Sequence, residues 1–217
     1  MGLGREAAQN RLRLACFYTI SAFTLPRLLS ALNTSVPEID VTLIEGDQSR
    51  LQAALDAGEA ELALMYDENV ADHLIKELMI ERDPYVLLPE DHPLAAKESI
   101  SAEDLRDVPM VLLNTPPSPG YFLSLLRDQG VEPRIAWQSA AIETVRSMVG
   151  NGLGYALLAS RPESCSTYGG RRVAVRPLSW KARPSRVVLV RRRGATLSAG
   201  AERFAALCRA LQAEDLH

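Results

Sequence analysis

The 217-residue sequence predicts an α/β fold, with enough length for one large domain or two small lobes. The first observation is a strand–helix–strand–helix–strand alternation over residues 12–66, which favours a parallel sheet with helices on both faces. The second is a new alternation from about residue 109, and the third is a late strand followed by a helix. Two groups of strands in one chain favour the two-lobed form.

The first alternation is built from short apolar segments with clear boundaries. Pro26 falls near the first turn of a predicted helix, where proline is tolerated, and Asp47 is a residue type that begins helices. Gly58 closes that second helix. In chain order the predicted elements are a strand over 12–18, a helix over 23–32, a strand over 39–44, a helix after Asp47 that includes Leu51 and Leu55, and a strand over 62–66.

The second half is less regular. Ser101 and Asp104 resemble a helix-start box, and the glycine cluster at 150–154 indicates a helix end followed by a tight turn. The last helix places an apolar stripe at i, i+3, i+4 and i+7, formed by Phe204, Leu207, Cys208 and Leu211. The other predicted elements are strands over 85–88, 109–113, 134–138, 154–158 and 187–190, a helix that ends at Gly130, and a helix over 140–149.

Composition indicates an ordinary globular protein, with 47% hydrophobic and 24% charged residues. No apolar run is long enough to cross a bilayer, and residues 1–10 lack a secretory signal. The three scattered cysteines, Cys16, Cys165 and Cys208, favour the reducing cytoplasm over a disulfide framework. Each is interpreted as a small buried residue, with a redox-sensing thiol as the alternative.

Charge is unevenly distributed, although the net charge is only −3. Residues 1–110 carry 20 acidic and 9 basic side chains, whereas residues 161–193 carry 10 basic and 1 acidic. A basic segment can bind phosphates, but this one lacks interleaved aromatic residues. We therefore interpret it as a solvated face that complements the acidic half.

Enzyme and cofactor motifs are scarce, and no metal or cofactor is predicted. His73, His92 and His217 are far apart and lack metal-ligand spacing with any cysteine. The glycine cluster follows a helix and precedes a strand, the reverse of the order in a dinucleotide-binding loop.

Topology nevertheless predicts a binding site, because ligands collect at the carboxyl ends of strands in open parallel sheets. Thr19 and Ser21 follow the first strand and offer hydroxyls that suit a carboxylate or another anion. The alternative is that both side chains only cap the following helix, and the two roles are compatible. Residues 114–118 form a polar, proline-rich loop that could face the same binding site, although a turn without a binding role would use the same residues.

Several segments together resemble the effector-binding domain of LysR-type transcriptional regulators. They are a Leu-Pro helix start at 24–29, a Pro-containing strand at 36–46, a helix–Gly–strand pattern at 51–64, a His-Pro-Leu turn at 88–95, and a Gly-x-Gly segment at 149–158. The sequence departs from the family pattern at Val36, at Glu61 and in the proline displaced to Pro162.

This resemblance implies two Rossmann-like lobes joined by two crossing strands, like type 2 periplasmic binding proteins. Lobe I is then expected over residues 12–83 and 187–217, and lobe II over 84–186, so that the C-terminal segment returns to the first lobe. Residues 1–11 are expected to be the stub of a linker helix or a cloning remnant. An N-terminal winged helix-turn-helix is expected in the full protein.

The resemblance also implies a small-molecule effector site in the cleft between the lobes. Carried over position by position, its residues are Tyr18, Thr19, Ile20, Ser21, Phe23, Gly46, Asp47 and Tyr66 from lobe I, with Asn114, Thr115, Pro116, Ser139 and Ala140 from lobe II. Asp47 is expected to repel an anion, and Ile20 and Phe23 to make the entrance apolar. A small aromatic or amphipathic effector is therefore as plausible as a simple carboxylate.

The function implied is that of a bacterial, cytoplasmic ligand sensor that regulates transcription as a homodimer or homotetramer and binds DNA through its N-terminal domain. No cofactor, catalysis or membrane is expected. One alternative is a stand-alone solute-binding protein of a transport system, which the free cysteines and the missing signal disfavour. The other is an enzyme on the same scaffold, which needs a concentrated acid–base set that the strand ends do not supply.

Overall fold

The computed structural model describes residues 11–37, 39–162 and 164–213, and the chain divides into two compact units. Unit 1 runs to Glu81 and resumes at Arg186, and unit 2 comprises Arg82–Ser185. The predicted α/β class is confirmed, because both units combine sheets with helices. The predicted linker-helix stub falls almost entirely on residues 1–10, which lie outside the described part.

The strands in chain order are β1 Arg11–Phe17, β2 Asp40–Gly46, β3 Leu62–Tyr66, β4 Leu74–Arg82, β5 Tyr85–Pro89, β6 Met110–Leu113, β7 Ile135–Ser139, β8 Ala156–Leu158, β9 Val173–Pro177 and β10 Ser185–Arg192. The helices are α1 Tyr18–Phe23, α2 Leu25–Ser35, α3 Gln48–Asp56, α4 Ser118–Arg127, α5 Ile142–Gly150 and α6 Ala199–Ala213. Within the described ranges, no helix is long and apolar enough to span a membrane.

Unit 1 is organised by a five-stranded sheet in the order β2-β1-β3-β10-β4. β1 pairs in parallel with both β2 and β3, and Phe17 at its end lies opposite Gly46 at the end of β2. β10 is antiparallel to β3. The carboxyl ends of the three parallel strands therefore lie at one edge of the sheet.

The start of unit 1 differs from the prediction in one respect. One helix over residues 23–32 was predicted, whereas the structure has two, and β1 ends at Phe17 because α1 already begins at Tyr18. The amide of Thr24 closes α1 by donating to the carbonyl of Ile20. Pro26 has no N–H to donate to that ladder, and it lies in the first turn of the new helix α2, where no intrahelical donor is needed.

The core of unit 1 is continuous from the sheet to the last helix. Helix α6 packs against β1 and α2, with Phe204 and Cys208 fully buried. Leu207 and Leu211 are partly buried against the same core. The predicted apolar stripe of the last helix is therefore confirmed.

Unit 2 contains an antiparallel sheet in the order β8-β5-β9 and a parallel pair, β6 and β7. The three-stranded sheet and the parallel pair are joined through Tyr155. Its amide donates to the carbonyl of Pro109, and its carbonyl accepts from the amide of Val111. The predicted helix-start box is present, since Ser101 and Asp104 exchange side-chain to backbone hydrogen bonds of 3.0 and 3.2 Å. It opens a single 3-10 turn, Glu103–Leu105, instead of a helix.

Most basic side chains of residues 161–193, a segment that runs from unit 2 into unit 1, are exposed, as predicted for a solvated face. Arg172 pairs with Glu90 at 2.7 Å, and Arg186 pairs with Glu81 at 2.7 Å. Both carboxylates belong to the acidic half of the sequence. The predicted complementarity between the two regions is confirmed for these pairs.

Candidate functional site

The carboxyl ends of β1, β2 and β3 bring three polar segments together. We call this the unit 1 edge and define it as residues 18–21, 46–48 and 66–68. Parallel pairing fixes this arrangement. On one side of β1, Phe17 lies opposite Gly46 of β2, and on the other side Cys16 lies opposite Leu64 of β3. Within unit 1, the structure therefore brings the predicted residues Tyr18 to Ser21, Gly46, Asp47 and Tyr66 to one edge.

Two hydroxyls form the buried centre of this edge. The Oγ1 atom of Thr19 lies 2.6 Å from the Oη atom of Tyr66, and the two residues are 2% and 8% exposed. The ring of Tyr66 also packs edge-on against Phe17, with centroids 5.0 Å apart. These contacts fix the tyrosine hydroxyl at the carboxyl end of β3.

The alternative role for Thr19 and Ser21, that of helix caps, is wrong. Both residues lie inside α1, whose N-cap is Phe17 and has no side-chain cap hydrogen bond. Ser21 instead donates to the carbonyl of Tyr18 at 3.2 Å and to the carboxylate of Glu45 on β2. Its hydroxyl thus ties α1 to the end of the neighbouring strand.

The apolar residues of α1 have different environments. Ile20 is fully buried in the core of unit 1, so packing alone accounts for it. Phe23 is half-buried, and Tyr18 is 51% exposed at the start of the helix. Ile20 and Phe23 were predicted to make the entrance of the site apolar. Within unit 1, Phe23 is partly at the surface and Ile20 is not.

Gly46 and Asp47 shape the segment after β2. A Cβ atom on Gly46 would lie 2.8 Å from Cγ of Arg50, so the strand end approaches α3 too closely for a larger residue. The carboxylate of Asp47 accepts a hydrogen bond of 2.9 Å from the amide of Arg50, which confirms the predicted helix start. The N-terminus of α3 consequently already carries a negative charge.

The predicted residues of unit 2 also come together, at the ends of β6 and β7. We call this the unit 2 edge and define it as residues 114–116 and 139–140. The amide of Asn114 donates to the carbonyl of Ser139 at 2.8 Å, and the hydroxyl of Thr115 donates to the carbonyl of Ala140 at 2.7 Å. Pro116 is exposed and precedes a cis peptide bond to Pro117.

Two buried residues with long polar side chains, Gln48 and Arg146, were not singled out by the sequence. Gln48, in α3, is 5% exposed and donates to the carbonyls of Tyr66 and Glu68. Arg146, in α5, is 1% exposed and pairs with Glu143. For Gln48 a signal was present, since it is the first residue of a helix that follows a strand end. Arg146 shows no such signal, because its sequence context is that of an ordinary helix.

Chemistry beyond hydrogen bonding is sparse in the described part of the chain. Over residues 11–37, 39–162 and 164–213, no group of three or more His, Cys, Asp or Glu side chains is placed to hold a metal ion. The three cysteines are free. Cys16 and Cys208 are fully buried, as predicted, whereas Cys165 is partly exposed.

Thiol reactivity should follow this burial. Burial raises the pKa of the Cys16 thiol far above its ordinary value and raises that of Cys208 to about 12, so both stay protonated at neutral pH. We expect one of the three thiols to react with Ellman's reagent in the folded protein, and all three in urea. The Cys165→Ser variant should lose the native reaction. Modification of Cys16 or Cys208 before unfolding, detected by mass spectrometry, would contradict this expectation.

Comparison with known families gives one match that covers nearly the whole chain. Residues 5–213 match the sequence model of the LysR substrate binding domain. The HTH-type transcriptional regulator TtuA of Agrobacterium vitis is 27% identical over 162 residues, which are 73% of this chain and 53% of that protein. The hydrogen peroxide-inducible genes activator of Dickeya chrysanthemi is 26% identical over 71% of this chain and 51% of its own length. The chain thus spans about half the length of the curated relatives it matches.

Solved structures agree in fold. The C-terminal domain of a probable LysR family regulator from Rhodococcus sp. RHA1 superposes with a TM-score of 0.88 at 34% identity, over 92% of this chain and 98% of that one. HinK, a LysR family regulator from Pseudomonas aeruginosa, gives 0.90 at 32% identity, over 97% and 74%. The effector-binding domains of QuiR with shikimate and of BenM with benzoate, both 17% identical, share the fold at TM-scores of 0.83 and 0.82.

Proposed function

Since this chain belongs to the LysR substrate binding domain family, we propose that it binds a small organic effector and thereby regulates transcription. The observation that carries the proposal is the unit 1 edge. There, the buried hydroxyls of Thr19 and Tyr66 and the amide of Gln48 converge at the carboxyl ends of parallel strands. Ligands of open α/β sheets bind at such strand ends.

In this proposal each edge is, within its own unit, a candidate for contacts to the effector. Both edges contain polar groups held in place by hydrogen bonds to the backbone, which is the preorganisation that specific binding requires. The shared fold with domains solved in complex with shikimate and with benzoate supports a ligand of similar size. Because their sequence identity to this chain is low, the chemistry of the ligand must be argued from the residues of this chain.

The partners follow from the relatives. TtuA is named an HTH-type transcriptional regulator, and the matched relatives are about twice as long as the aligned region. We therefore include in the proposal a helix-turn-helix part that binds DNA. Homodimer or homotetramer formation and a cytoplasmic location are added to it from the family resemblance. Effector binding would shift the balance between two conformations of the regulator, for which a coupling of roughly 1–3 kcal/mol is typical.

The two alternatives have less support. The relatives named above are transcriptional regulators, and neither is a transport protein or an enzyme. For catalysis, the described residues of the two edges contribute hydroxyls and amides together with Asp47, Asp67 and Glu68, and no histidine or cysteine is among them. Such a set is suited to binding.

A thermal-shift screen of the chain against aromatic acids, amino acids, sugar acids and amines tests the proposal. A ligand at 100 times its Kd should stabilise the fold by about 2.7 kcal/mol. In the Thr19→Val, Ser21→Ala double variant, we expect its affinity to fall about tenfold or more, because two hydroxyls of the edge are lost.

The matched control is Thr34→Val with Ser35→Ala. These hydroxyls donate at 3.0 Å to carbonyls within their own helix, α2, so removing them should leave the affinity unchanged. Equal affinity in both double variants would contradict the site, and a screen without a saturable ligand would contradict the proposal for those chemical classes.

A further inference from the structure

Gln48 is a buried polar side chain whose two ends are used unequally. It is the first residue of α3 and only 5% of its surface is exposed. Its Nε2 atom donates to the carbonyl of Tyr66 at 2.7 Å and to that of Glu68 at 2.8 Å. Both hydrogens of the amide nitrogen are therefore used.

These two bonds fix which end of the amide is oxygen. Rotating the amide by half a turn would place Oε1 against two carbonyl oxygens, which repel it. The orientation of Gln48 therefore follows from its environment. The carbonyl oxygen Oε1 must point away from the end of β3.

In this orientation Oε1 is a buried acceptor without a donor. Among the residues that the structure describes, none supplies a hydrogen bond to it. Buried acceptors in native proteins are nearly always paired, because leaving one unpaired costs its full desolvation penalty. A hydrogen-bond donor from outside the described chain is therefore expected at this atom.

The charge around Gln48 indicates the kind of donor. Glu45, Asp47, Asp67 and Glu68 all lie in or beside the unit 1 edge. Asp67 is paired with Lys76 at 2.5 Å, Asp47 accepts from the amide of Arg50, and Glu45 accepts from the hydroxyl of Ser21. An excess of carboxylates repels an anionic ligand and favours a neutral or positively charged one.

We propose that Gln48 accepts a hydrogen bond from a hydroxyl or protonated amine of the effector, so that the unit 1 edge selects a donor group over a carboxylate. This inference rests on the proposed function and names the ligand chemistry at one part of the site. A carboxylate carried elsewhere on the same effector is compatible with it.

The test uses three small probes that share a two-carbon skeleton: ethylene glycol, ethanolammonium chloride and sodium acetate. Each is titrated into the ¹⁵N-labelled chain at equal ionic strength, while the side-chain amide signals of Gln48 are followed by NMR. Saturable shifts are expected with at least one donor probe, and binding of acetate should be about tenfold weaker or more. Comparison of the glycol with the ammonium salt distinguishes a hydroxyl from an amine.

Two variants assign the signal and control for folding. Gln48→Met removes the acceptor and should abolish the response, which is then followed at the backbone amides of Ser49 and Tyr66. Gln52→Met, one turn along α3, should preserve it, since Oε1 of Gln52 already accepts from the amide of Ala71 at 2.8 Å. The comparison of the three probes on the unmutated chain tests the inference even if a variant does not fold.

The inference would be overturned if acetate bound as tightly as the donor probes. It would also be overturned if neither donor probe gave saturable shifts, because water alone would then be the partner of Oε1. Failure here is distinguishable from failure of the proposed function. An effector whose affinity depends on Thr19 and Ser21, but not on Gln48, would retain the effector site and reject only the role of Gln48.

Discussion

Replacement of Glu143 by alanine is expected to lower the free energy of unfolding by about 3–5 kcal/mol, because it leaves a buried arginine without its counter-ion. Arg146 is 1% exposed, and its Nε atom lies 2.9 Å from the carboxylate of Glu143, in ion-pair contact without an aligned hydrogen bond. Its guanidinium also donates to the carbonyls of Ser164 and Ser166, at 3.0 and 3.3 Å. Neither carbonyl can replace the lost negative charge.

The measurement is urea unfolding followed by tryptophan fluorescence. Both tryptophans of the chain, Trp137 and Trp180, lie in unit 2, so the signal reports the unit that contains the ion pair. Adding Arg146→Met to Glu143→Ala should recover at least about 1 kcal/mol, because the uncompensated charge is then removed.

The control is Glu132→Ala. Glu132 pairs with Arg127 at 2.7 Å in the same unit, but both side chains are more than half exposed, so the midpoint should hardly change. If Glu143→Ala behaves like this control, the buried pair does not stabilise unit 2. If the double variant is less stable than the single one, the buried charge is not the cause of the loss.

Replacement of Gly154 by alanine is expected to destabilise unit 2 by about 2–6 kcal/mol, through backbone strain together with steric overlap. Gly154 has a φ of +140°, a conformation that side chains disfavour. A Cβ atom at this position would lie 2.0 Å from the carbonyl oxygen of Pro109. That same oxygen accepts the amide of Tyr155 at 2.9 Å, so relieving the overlap breaks the bond that joins β6 to β8.

Gly120→Ala is the matched control, with an expected change of opposite sign. Gly120 lies inside α4, and a Cβ atom there would meet nothing within 4 Å. The alanine should stabilise the helix by about 0.5–1 kcal/mol. Measured by the same fluorescence assay, an unchanged midpoint for Gly154→Ala would show that the two strands separate without cost.

Local sequence signals predicted the fold class and most elements, because they depend on residues close together in the chain. Asp47 begins its helix, the 150–154 cluster ends one, and the stripe around Phe204 faces the core. The boundary at Tyr18 was missed because an apolar strand end and an apolar helix start have the same composition. The return of the C-terminal segment came from the family resemblance, since strand pairing across the chain leaves no local signal.

The site was predictable in position more than in detail. Strand ends identified the unit 1 edge, but the bond between Thr19 and Tyr66 joins residues 47 positions apart. The close approach of Gly154 to Pro109 likewise spans the two ends of a strand–helix–strand–helix segment. Such contacts are set by packing, which a pattern of polar and apolar residues does not encode.

The position of β10 between β3 and β4 also has a consequence for synthesis. This strand joins β3 to β4, yet all of unit 2 separates it from β4 in the chain. A ribosome therefore completes every strand of unit 2 before it makes the strand that completes the sheet of unit 1. Until residue 192 has emerged, the nascent chain carries β3 and β4 with unpaired edges, which are the features that recruit chaperones and promote aggregation.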